Sequence, residues 1–217
     1  MKLLKFVKLE DIAEIISGQI FTRVISLNKD DSKNINVIRD SYIKKGYLIT
    51  PNDSYNNINI SKSKLNNDKL YLTKRFTKVD DIVVSLKYPF SASLINEYDS
   101  NKLIDSYSLI IRIKDDIIDK YYLLSYLNSK YCKNSILELC NNNENVKDIK
   151  TVSLKTYKIT KIPLLESKFE ELAIGKSYKE TIDKIILFKR ILNLELEINN
   201  KKFEEIIGAY NDKYKED

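Results

Sequence analysis

From Tyr178 to Tyr210, apolar residues return at alternating steps of four and three. Tyr178, Ile182, Ile185, Leu192, Leu196, Phe203, Ile206 and Tyr210 fall on one heptad seam, interrupted at Lys189 and Asn199. That spacing predicts a helix, because a strand repeats every two residues. At 1.5 Å per residue, the segment spans about 50 Å. Ile186, Phe188, Ile191, Leu194 and Ile207 widen the stripe beyond a narrow seam. Such width suits packing against more than one partner helix. A polar seam residue such as Asn199 fixes register in a helix pair, or simply faces water. The same pattern also serves a long helix folded onto its own domain, and the seam leaves both readings open.

Pro163, in "KIPLLE", disfavours helix at Ile162 and sets a boundary. The expected organisation is α+β: a globular domain over residues 1–165, then a long coiled-coil-type helix over 166–217. The charge divides in the same way. Residues 1–165 hold 27 Lys and Arg against 19 Asp and Glu; residues 166–217 hold 10 against 12. The basic character therefore belongs to the first part.

Composition removes several kinds of chemistry. The 217 residues include no histidine, so the commonest general base and the usual zinc ligand are missing. Two cysteines, Cys132 and Cys140, are too few for a four-thiolate metal site and are expected as reduced thiols. Neither GxxxxGK[ST] nor GxGxxG occurs, and the three prolines stand too far apart for an Asn/Asp-Pro-Pro-aromatic motif. No apolar run approaches the roughly 20 residues of a membrane span, and no export signal is seen. The expected location is the cytoplasm, with no membrane contact.

Within 1–165, "DIVVSL" (81–86), "YSLIIRI" (107–113) and "KLYLT" (69–73) read as strands. Residues 119–140 have helical spacing, with Asp115, Asp116 or Asp119 as the cap. Tyr121, Tyr122, Tyr126 and Tyr131 fall at helical spacing and read as packing residues before base-stacking ones. Window 61–78 is the most basic: Lys62, Lys64, Lys69, Lys74, Arg75 and Lys78 face one acid, Asp68, with Tyr71 and Phe76 interleaved. Lysines with aromatics suit phosphate contact plus base-edge readout, and equally a solvated loop. Window 146–161 repeats the pattern with Lys147, Lys150, Lys155, Lys158 and Lys161. Gln19, Thr22 and Arg23 follow Gly18, where an exposed turn could reach DNA.

Four segments stand in a telling order: "LEDIAEIISGQIF" (9–21), "KVDDIVVSLKYPFSASLI" (78–95), "DSYSLIIRIKDDIIDKYYLLSYLNSK" (105–130) and "LKTYKITKIPLLE" (154–166), running into the apolar-periodic helix. The ordered set resembles one half of the specificity (S) subunit of type I restriction–modification enzymes, a target-recognition domain with its spacer helix. The departures are one recognition domain instead of two, "IPLLESKFEEL" ahead of the helix without the usual second proline and glutamine, and an unmatched region from Asn28 to Lys74.

The resemblance implies a non-catalytic, sequence-specific reader of double-stranded DNA. It implies a partner methyltransferase (modification) subunit that binds S-adenosylmethionine, and a restriction subunit that joins them. It places Lys87 and Tyr88 in a loop near DNA and gives Gly18 a sharp turn that other residues adopt at a steric cost. One recognition domain per chain implies a homodimer through the helix. Two other classes stay open: a coiled-coil adaptor that reads no DNA, and a Mg²⁺ nuclease built on Asp148 with Glu166 and Lys168.

Overall fold

A computed structural model describes residues 5–25, 32–49, 57–61, 72–115, 117–140 and 151–213. The chain divides into two compact units, Met1–Tyr178 and Lys179–Asp217. In chain order the first unit carries β1 (Lys5–Lys8), α1 (Leu9–Ile12), β2 (Ala13–Ser17), β3 (Ser32–Ile38), β4 (Asn57–Ser61) and β5 (Ile82–Ser85). Then come β6 (Ala92–Leu94), β7 (Leu103–Ile104), β8 (Ser108–Ile113), α2 (Lys120–Asn128), α3 (Lys130–Cys140), α4 (Leu154–Ile159) and β9 (Lys161–Leu164). Helix α5 (Lys168–Lys213) begins in the first unit and supplies the second.

The four-stranded sheet, ordered β2-β8-β5-β6, is antiparallel throughout. Its central strands are uninterrupted apolar runs: Ile82, Val83 and Val84 on β5, and Leu109, Ile110 and Ile111 on β8, all buried. Strands covered on both faces read this way. A second sheet, β4-β3-β7, joins β3 to β7 in parallel, with Val37 opposite Leu103 and Ile38 opposite Ile104. Ile16, Val83 and Ile110 of the first sheet pack with Ile38 and Ile104 of the second in one core cluster. Strands β1 and β9 form a separate antiparallel pair in which Phe6 lies opposite Pro163.

Residues 119–140 form two helices rather than one. Asp119 caps α2 by accepting the Tyr122 N–H at 2.8 Å. The chain leaves helical geometry at Ser129 (φ −73°, ψ 157°), whose hydroxyl accepts the Cys132 N–H at 3.2 Å and so starts α3. Asn128 ends α2 by pairing both sides of its amide with the Ala92 backbone at 2.9 Å, which, with the Gly46 N–H on the same carbonyl, covers the outer edge of β6. The tyrosines divide their work. Tyr122 and Tyr126 donate to the Pro163 and Lys161 carbonyls of β9, whereas Tyr131 is exposed. Both cysteines are free, and burial pushes the Cys132 thiol up to about 12. The strand expected at 69–73 is corrected where it is described: Leu72 and Thr73 are helical, and Leu72 joins the core of the second sheet.

Helix α5 starts two residues after the expected position, where the Ser167 hydroxyl accepts the Glu170 N–H at 3.3 Å. Buried Glu171 accepts from Asp119 N–H and from Lys168 Nζ, both at 2.6 Å. Gly175 lets the helix approach α2, since a Cβ there would stand 2.0 Å from Asp119 Oδ1. Tyr178 is half-buried and hydrogen-bonded to the Asn128 side chain, and Ile182 is buried. Beyond them the apolar face is open, from 36% exposure at Ile185 to 67% at Ile206, with Leu192, Leu196 and Phe203 between. Tyr210 lies in the helix, but its side chain is outside the described set.

Candidate nucleic-acid interface

Several strand ends meet at one edge of the four-stranded sheet. Strand β2 ends at Ser17 beside the start of β8, and β5 ends at Ser85 opposite Ser108. The parallel pair of the second sheet delivers Asp40 and Asp105 to the same edge, just past Ile38 and Ile104. Gly18 seals the junction. Its N–H donates to Ser108 O at 3.0 Å, and a Cβ would lie 1.8 Å from the Asp105 carbonyl oxygen. Its φ is not in the left-handed region, so the expectation of a costly turn conformation is corrected. Glycine is required for close approach of two backbones.

Arg75 reaches this edge by donating from Nη2 to Ser17 Oγ at 3.0 Å. Lys74, beside it, is exposed. Thr22 and Arg23 are exposed on the one-turn 3-10 helix Phe21–Arg23. Gln19 is not: it is 6% exposed, its backbone N–H bonds Ile104 O, and its Nε2 donates to Ile20 O. The turn after Gly18 runs into the sheet junction before it surfaces, which removes Gln19 from the reading surface. Its Oε1 has no partner among the described residues.

Lys87 and Tyr88 stand on the loop after β5. The loop is held at Phe90, whose N–H bonds Lys87 O at 2.8 Å and whose ring is buried. Tyr88 is 64% exposed and meets Phe90 edge-to-face at 5.7 Å. Lys87 is not a free cation. Its Nζ lies 3.0 Å from Asp40 Oδ2 and 3.9 Å from the centroid of the half-exposed Tyr107 ring. The hydrogen bond that Lys87 donates to Asp40 raises the Lys87 pKa. Asp105 accepts from Asp40 N–H, Ser108 Oγ and Tyr107 N–H. Burial raises its pKa, and the neighbouring Asp40 carboxylate adds to the rise.

Asp40, Asp105 and Tyr107 were not expected from the residue pattern. The pattern carries only a loose signal for them: Asp-Ser-Tyr occurs at 40–42, 53–55 and 105–107, and the first and last copies stand just beyond the strands of the parallel pair.

The other candidates fall into three groups. Lys62, Lys64, Lys69 and Tyr71 lie outside the described residues, as do Lys147, Asp148 and Lys150. Lys155, Lys158 and Lys161 sit on α4 and β9. Lys78 lies at the opposite end of β5, where its N–H bonds Asp81 Oδ2 at 2.7 Å. There it lines a cleft of about 460 Å³ together with Asp80, Asp81, Arg112, Lys120 and Lys168. Three of the cations of that cleft are committed. Arg112 forks onto Asp81 through two 2.8 Å bonds, Lys120 pairs with Asp80, and Lys168 with Glu171. Among the described residues, no group of three or more Cys, Asp or Glu side chains is placed to hold a metal ion. No helix among them is long and apolar enough to cross a membrane.

No protein-family model matches the sequence. No curated protein matches it either. Solved structures do. The HsdS subunit from Thermoanaerobacter tengcongensis superposes over 87% of this chain with a TM-score of 0.57 at 13% identity. A chain from a type I R-M system, solved for its complex assembly and conformational transition, superposes over 88% with a TM-score of 0.56 at 14% identity. This chain spans about half of each, 44% and 46%. The fold, a mixed α/β sheet domain with a long C-terminal helix, is therefore that of one half of an HsdS-type specificity subunit.

Proposed function

We propose that the chain is a sequence-specific DNA-recognition subunit of a type I-like restriction–modification system. The observation that carries this reading is the HsdS fold across nearly nine-tenths of the chain. The sheet edge that gathers Arg75, Lys87, Tyr88 and Tyr107 supports it, because cations supply phosphate affinity and exposed side chains read bases. The first unit is the reader. The exposed face from Ile185 to Ile207 is the assembly element, and two copies pair through it to present two readers. That dimer directs a methyltransferase subunit, and with it a restriction subunit, to a chosen sequence in the cytoplasm. Methyl transfer from S-adenosylmethionine belongs to the partner, and this chain makes and breaks no bonds. A coiled-coil adaptor that reads no DNA would share the open helix face, but it would show no salt-dependent duplex affinity.

Titration of a labelled duplex at several salt concentrations tests the reading. Log affinity should fall linearly with log salt, by about 0.9 for each phosphate contacted. Replacing Lys74 and Arg75 together with Gln should weaken binding at low salt and lower that slope by about 1 to 2. Unchanged affinity in the double variant would move the DNA surface elsewhere.

A further inference from the structure

Lys87 combines features that an ordinary surface ion pair does not need. Its backbone is fixed from several sides: its N–H donates to Ser85 Oγ at 3.2 Å, and Leu86 N–H bonds Tyr107 O at 2.8 Å. Val152 N–H bonds Leu86 O at 2.9 Å, and Lys87 bridges to Thr151. The ammonium therefore projects from a rigid base. Tyr107 lies against it, and exposed Tyr88 follows it in the chain. A cation on a fixed base, against an aromatic ring that reaches solvent, has the chemistry of a phosphodiester subsite.

The position of Asp40 is costly to the fold. Its carboxylate stands against that of Asp105, whose burial already disfavours charge. The ion pair with Lys87, whose side chain is largely open to solvent, offsets only part of that cost. The backbone N–H of Asp40 makes the bond to Asp105, and that bond would survive an amide side chain. A local cost without a local structural gain is the mark of a functional position.

We propose that Lys87, backed by the Tyr107 ring, is a phosphate subsite that Asp40 fills with its carboxylate in the free protein. This rests on the DNA-reading function proposed above. A DNA phosphate must displace Asp40 to reach Lys87. Arbitrary duplex is then held one contact short, and a target whose other contacts align completes the exchange. Asp40 is in this sense a specificity-determining residue that lowers background affinity.

The test is a double-mutant cycle of Asp40→Asn and Lys87→Gln in the full chain. An arbitrary-sequence labelled duplex is titrated across salt concentrations, with urea unfolding of each variant as the folding check. Asp40→Asn should tighten arbitrary-duplex binding about three- to tenfold and steepen the salt slope by up to about 1. Its stability should be unchanged or raised. In the Lys87→Gln background the same substitution should change affinity less than twofold. Equal or weaker binding by Asp40→Asn overturns the subsite. So does a gain that persists without Lys87, because it would reflect net charge alone. A wild-type chain with no salt-dependent duplex affinity overturns the DNA-reading function and the subsite together; normal wild-type binding with no coupling in the cycle overturns the subsite alone.

Discussion

Replacing Ile185 and Leu192 with Asp should convert a dimer into monomers. The two residues stand seven apart on the exposed face of α5, and neither lies in the core of the first unit. Fully burying a Leu or Ile side chain contributes about 1.5–3 kcal/mol. A twofold interface counts each substitution twice, so four lost side chains remove about 6–12 kcal/mol of association. That corresponds to more than four orders of magnitude in the dissociation constant. Sedimentation equilibrium should show the wild-type chain at twice its own mass and the double variant at one chain mass. The unfolding transition of the sheet domain should stay where it is. A double variant that remains dimeric would place the contact on another surface.

Gly18→Ala should be the most damaging small substitution in the reading domain. The added methyl would meet the Asp105 carbonyl oxygen at 1.8 Å and its carbon at 2.6 Å. Both belong to backbone that also bonds Ile38 and Ser108, so neither can move without breaking the junction of the two sheets. Overpacking of this kind costs about 1–3 kcal/mol and more where backbone must shift. Urea unfolding should show a lower midpoint by at least that amount, with loss of duplex binding as the sheet edge opens. A midpoint within about 0.5 kcal/mol of wild type would mean that the two backbones separate freely.

What the residue pattern disclosed follows from how local each signal is. Strands β5 and β8 were legible because continuous Ile and Val runs both favour strand and demand burial. The long helix was legible because its periodicity extends over many turns. The break at Ser129 was not, since no residue from Asn128 to Lys130 forbids helix; Ser129 caps the start of α3 by accepting the Cys132 N–H. Leu72 and Thr73 read as strand by composition, yet Leu72 enters the core as part of a helical turn. Gln19 is polar and follows a glycine, which argues for a surface turn, but the meeting of two sheets buries it. The Asp40–Lys87 pair joins residues 47 positions apart. Their meeting depends on how the two sheets pack, with β3 held beside β7 and the turn after it beside β5, and no spacing rule reaches that far.

The central claim is that this chain reads DNA sequence as a pair of identical heads. Selection from a pool of random duplexes, with the full chain at physiological salt, tests it most directly. One short sequence and its inverted copy at a fixed separation should be recovered, bound at least about a thousandfold more tightly than arbitrary duplex. A recovered pool as diverse as the starting one would contradict it.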